Sequence, residues 1–176
     1  MVDASPDPVP QPRHLRQWVS RHTRLCGVGR SSYALSNGFR AAGRSRHADE
    51  AKATLTKAVA ALKADKAKTL DMINKGEGGF LDRDLYVFCA NASDGKTVAL
   101  GNPNAKQLLG TDTRTLKDST GKAFGQELYD AYQKPEGQIT EVSYMFVRPG
   151  PDKTPAQKVS FATRVGDLGC GVGYYK

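Results

Sequence analysis

The stretch Leu85-Tyr86-Val87-Phe88-Cys89-Ala90 is apolar at every position, so a strand built from it has two alternating faces that both need cover. This demand places the strand at the centre of a sheet with a packed layer on each side. One layer is encoded just upstream. Residues 49–74, DEAKATLTKAVAALKADKAKTLDMIN, set Leu55, Val59, Leu62, Leu70 and Ile73 near helical spacing, begin with acidic residues and stop before Gly76. They predict one long amphipathic helix with a lysine-rich outer face.

Downstream, Ser93-Asp94-Gly95 separates the first β-rich run from KTVALGN, a hairpin signal. Residues 103–137 then show turn residues and one helical stretch, Phe124 to Tyr132, without strand alternation. A connection of this length in a compact domain is the natural place for a pocket wall. Two further runs, GQITEVSYMFVRPG and AQKVSFATRVGD, flank a Pro/Gly turn, and the chain closes on LGCGVGYYK. The sum is an α+β domain: two strands, an excursion with short helices, then three strands, with antiparallel neighbours inside each group. A terminus that ends on glycines and aromatics reads as a strand held in the sheet, its glycines permitting close packing. If the first and last strands are neighbours, Cys89 and Cys170 come within bonding range, and a bridge there implies an oxidising compartment. Two buried free thiols are the alternative.

Residues 1–48 differ in kind from the rest. They carry 8 Arg, no Lys and only Asp3 and Asp7 as acids, together with His14, His22, His47 and Trp18, while residues 49–176 are nearly neutral and lack histidine. Without a sustained apolar period the leader reads as disordered. Its basic charge makes nucleic-acid binding a minor rival reading. No run of about 18 apolar residues offers a membrane span, and no apolar core of a secretory signal is recognisable. The composition fits an organellar transit peptide, or a wrongly chosen start or shifted frame across a signal peptide. Cys26 is the odd thiol.

The expected folded domain, residues 49–176, holds no imidazole, which removes the usual nucleophilic triads, and two separated cysteines offer no zinc or haem site. No catalytic residue, metal or cofactor is expected. GCGVG cannot open a helix so near the chain's end, so it is no dinucleotide fingerprint. Asp82 and Asp84 flank Arg83 and read as surface pairing rather than acid/base chemistry. Binding remains. In the fourth strand Lys158, Ser160, Ala162 and Arg164 alternate with Val159, Phe161 and Val165, which puts two cations on one face of a strand whose other face is apolar. Covered by the excursion, such a row suits a small carboxylate; left open, it is a solvated face.

The long helix, DLYVFCANASDGKTVALGNP, LKDSTGKAFGQELYDA, VSYMFVRPGPDKTPAQKVSFATRV and the closing GCGVGYYK together resemble a single Cache domain of the bacterial extracytoplasmic sensor type. Gln157 stands where similar proteins often have Pro. The resemblance implies a long N-terminal helix on a PAS-like five-stranded antiparallel sheet, with first and last strands adjacent and a pocket between sheet and excursion. By position it implies a ligand site of Tyr86, Phe88, Tyr144, Phe146, Lys158 and Ser160, with Arg114 in the excursion, for a small anionic metabolite. Cache domains usually lie between transmembrane helices and feed a signalling module. This chain therefore reads as a stand-alone, non-enzymatic, periplasmic or secreted member that presents its ligand to a membrane receptor. The alternative is a ligand-free module that dimerises through the long helix.

Overall fold

A computed structural model of the chain describes residues 38–176, with side chains from His47 onward. Most of the leader, Cys26 included, lies outside the described residues. Helix α1 spans Gly38–Ala64 and so begins before Asp49. It also stops before the expected end at Asn74. Asp65 leaves helical geometry (φ −152°, ψ 95°) and its carboxylate accepts a hydrogen bond from the Lys68 amide, which caps a separate helix α2, Lys66–Lys75. Gly76 ends α2 in the left-handed conformation, φ 73°.

The strands are β1 (Leu81–Asp82), β2 (Leu85–Asn91), β3 (Thr97–Leu100), β4 (Thr140–Val147), β5 (Pro155–Val165) and β6 (Leu168–Tyr175). They form one antiparallel sheet in the order β1-β2-β6-β5-β4, with β3 also paired to β2. The expected five strands are all present. The sixth, β1, has two residues, too few to show a period in the sequence. The excursion holds 3-10 turns at Pro103–Leu108 and Thr113–Thr115 and helix α3, Phe124–Tyr132.

Both faces of β2 are covered, as its composition demands. On one side Leu55 and Leu62 of α1 and Ile73 of α2 pack with Val87, Cys89, Val159, Phe161 and Val172. On the other, Tyr86, Phe88, Tyr144 and Tyr175 pack with Phe124, Leu128 and Tyr132 of α3. Cys89 lies directly opposite Cys170 in the β2–β6 register and the two form a disulfide, with Cα atoms 4.1 Å apart and a sequence separation of 81.

The glycines of β6 make room on the excursion side. A Cβ on Gly169 would come within 1.8 Å of the Tyr132 ring, one on Gly171 within 2.5 Å of Phe88, and one on Gly173 within 2.4 Å of Lys158 Cε. The central strand is thus a floor of bare backbone, and large side chains from β2, β5 and α3 lie across it.

Candidate ligand-binding site

Alternation along β5 turns Val159 and Phe161 towards α1 and turns Lys158, Ser160 and Ala162 towards the excursion. Lys158 is fully buried, the only buried charged residue among those described. Its Nζ lies 3.6 Å from the ring centre of Tyr86, 5.2 Å from Phe88, 5.4 Å from Tyr175, 5.6 Å from Phe146 and 6.0 Å from Tyr144. An aromatic box of this kind favours a cation through the ring quadrupoles, yet it removes the water that normally stabilises an ammonium. Lys158 Nζ makes no hydrogen bond. Burial drives its pKa well below the ordinary lysine value, and the charge of Asp84 only partly opposes this.

Hydroxyls ring the box. Tyr144 OH and Ser160 Oγ are 2.9 Å apart, and Tyr86 OH faces Tyr175 OH at 3.4 Å. Tyr175 OH donates to Val147 O at 2.6 Å, an oxygen that also accepts from the fully buried Asn102 at 3.1 Å. Tyr132 OH is buried without a partner. Burial raises the pKa of Tyr86, Tyr132, Tyr144 and Tyr175, so each stays a neutral donor at physiological pH.

A cavity of about 40 Å³ lies between sheet and excursion, lined among others by Tyr86, Phe88, Phe124, Tyr132, Tyr144 and Phe146. Lys158 does not itself line this cavity, but its Nζ lies within 6.0 Å of the centres of four rings that do, those of Tyr86, Phe88, Tyr144 and Phe146. The excursion is fastened to the edge strand β4, covering the open side of the sheet. Asp118 accepts from the Met145 amide of β4 at 2.9 Å and from the Thr120 amide, the Thr120 hydroxyl and the Lys122 amide, which together hold its carboxyl down at about 2. Lys122 Nζ donates to Ser143 O, and Asn104 Nδ2 to Arg148 O.

The structure therefore brings together Tyr86, Phe88, Tyr144, Phe146, Lys158 and Ser160. Arg114 does not join them. It is exposed, forms an ion pair with Asp112 at 2.6 Å and lies over the Tyr129 ring, because the turn at Thr113–Thr115 directs it along the surface. Arg164, the second cation of the β5 row, donates instead to Gly166 O at 2.9 Å. Residues that sequence reasoning missed are Phe124, Leu128 and Tyr132, which share one face of α3 at four-residue spacing, and Tyr175, which the period of β6 puts on the glycine face. Among the described residues no cluster of three metal-ligating side chains occurs, and no helix is long and apolar enough to cross a membrane.

Residues 41–175 match the family model described as single Cache domain 2. The chain belongs to this family, whose members are extracytoplasmic sensor domains that bind small molecules. The fold is shared with a methyl-accepting chemotaxis protein from Vibrio parahaemolyticus RIMD 2210633 (TM-score 0.61, 23% identity, 78% of this chain and 93% of that one). It is shared too with a periplasmic sensor domain of a chemotaxis protein (TM-score 0.54, 20% identity, 81% and 99%). A third structure, described as the basis for carboxylic acid recognition by a Cache chemosensory domain, aligns with TM-score 0.53 and 21% identity over 78% of this chain and 95% of that one. No curated protein matches the chain.

Proposed function

We propose that this chain is a periplasmic or secreted sensor domain that binds a small organic acid, carries out no chemistry on it and presents the bound state to a membrane receptor. The single observation that carries this reading is Lys158: a wholly buried amine, without a hydrogen-bond partner, inside five aromatic rings. A buried amine without a partner costs stability, and a carboxylate ligand supplies both the missing hydrogen-bond acceptor and a counter-charge for its ammonium form. Tyr86, Phe88, Tyr144, Phe146, Lys158 and Ser160 are the binding residues in this proposal, with Tyr132 as an added donor. The disulfide, enclosed in the core, fits an oxidising compartment. A carboxylate-binding Cache neighbour supports the ligand class by analogy. The rival, a ligand-free module that dimerises through the long helix, finds no support in surface composition. Among the described residues the exposed large hydrophobics are Leu109 and Ile139, neither on α1.

The test is thermal unfolding with a panel of short carboxylates, among them acetate, propionate, lactate and succinate. A ligand at 100 times its Kd stabilises by about 2.7 kcal/mol, a rise of several degrees in midpoint. An unmoved midpoint across a broad panel of organic acids removes the proposal.

A further inference from the structure

The cavity beside Lys158 is smaller than the ligand it is asked to hold. At about 40 Å³ it admits roughly three waters. A second cavity of about 250 Å³ adjoins it, lying between the excursion and the β4–β5 hairpin. Leu108, Leu116, Phe124 and Phe146 line both. The two chambers are therefore separated by side chains alone.

Phe146 is the weak point of that partition. Of the five rings around Lys158, Tyr86, Phe88, Tyr144 and Tyr175 are buried, and Phe146 alone is half-buried. It meets Phe124 and Tyr144 edge-on, at 5.9 Å in both cases, rather than being stacked between them. Phe124 and Tyr144, by contrast, stack face to face at 4.1 Å and form a fixed wall. Phe146 is the one ring that both lines the outer chamber and lies over Lys158 Nζ, at 5.6 Å.

The outer chamber also has a chemical gradient. Ala105, Leu108, Leu116 and Val147 supply apolar walls, while Gln107, Lys117, Asp118 and Ser119 form a polar side, with Gln107 and Ser119 exposed at the rim. With one buried amine there is one enclosed place for one carboxylate, and the apolar side of the chamber beyond Phe146 is suited to hydrocarbon. We propose that the binding site is bipartite, with Phe146 as the moving partition, and that its ligand is a monocarboxylate with an apolar tail of several carbons, head at Lys158 and tail in the outer chamber. The inference rests on the carboxylate reading above and adds ligand length and the residue that sets it.

The experiment is a calorimetric titration of the whole chain with acetate, propionate, butyrate, hexanoate and octanoate, repeated on Gln107→Trp and Ser119→Trp. Both substitutions fill the rim of the outer chamber from exposed positions and leave Lys158 and its rings untouched. Kd is expected to fall roughly three- to fourfold for each methylene added until the chamber is full. Each Trp variant is expected to keep the affinity for propionate and lose most of the gain for hexanoate. If short acids bind and longer ones bind no better, the bipartite site is wrong while the carboxylate reading stands. If both Trp variants keep the full chain-length gain, the tail does not lie in this chamber and the proposal also fails. Binding of no acid of any length overturns both readings together.

Discussion

Lys158→Met is expected to give a protein that melts higher than the wild type and no longer responds to carboxylates. Methionine matches the length of the lysine stem and brings no group that needs water, so it fits the box of Tyr86, Phe88, Tyr144, Phe146 and Tyr175. What it removes is an amine with no hydrogen-bond partner. Relief of such a group is worth about 1–3 kcal/mol, several degrees in a domain of this size. The sign can be checked through proton linkage. Burial lowers the folded pKa of Lys158 below its unfolded value, so the unfolded chain binds the proton more readily and wild-type stability climbs with pH between those two values. The variant lacks that slope. Its affinity for a carboxylate should fall by about 2–5 kcal/mol, on the order of thirtyfold to several-thousandfold, because the charge partner is gone. A core lysine kept for packing gives a different pattern: the variant melts lower, and ligand-induced shifts persist.

Removal of the Cys89–Cys170 bridge has the larger effect on stability. With a sequence separation of 81 between the cysteines, the chain-entropy relation gives roughly 4–5 kcal/mol, a fall on the order of 10–20 °C in midpoint. Cys89→Ala with Cys170→Ala should show this loss in urea or thermal unfolding. Native protein should resist reductant until it opens, since both residues are completely buried under α1. The bridge joins adjacent strands on the face opposite the aromatic box, so any loss of ligand affinity should follow the loss of fold rather than precede it. A drop below about 1 kcal/mol would mean that the unfolded chain is already compact, or that the pairing adds nothing the β2–β6 ladder does not supply.

The architecture was legible because it is written in periods. The two apolar faces of Leu85–Ala90 required a central strand, and the alternation of Lys158 and Ser160 with Val159 and Phe161 separated the two sides of β5. The adjacency of the first and last strands, which puts Cys89 opposite Cys170, was implied by the resemblance to a single Cache domain and not by any period. What failed depended on single side chains choosing local partners. Asp65 caps a new helix where propensity continued the old one. Arg114 turns to Asp112, two residues away, and so never reaches the pocket. The remainder of the site was hidden because it is assembled across long separations. Tyr132 lies over Gly169, Phe88 over Gly171 and Lys158 over Gly173 because these glycines leave the centre of the sheet bare, a consequence of strand order that no local window contains. That Phe146 alone of the box is half exposed is likewise a property of packing rather than of sequence.

The most direct measurement is a calorimetric titration of propionate near pH 7 in buffers of different ionisation enthalpy, which counts the protons exchanged on binding. In the free protein burial lowers the pKa of Lys158, the tyrosines that face it from β2, β4 and β6 stay protonated throughout, and the arriving carboxylate is ionised. Pairing with the carboxylate raises that pKa again, so the expected result is a net uptake of protons on binding, with affinity falling as pH rises. An acid that binds with no proton uptake and with affinity flat in pH would contradict the claim that Lys158 is its receptor.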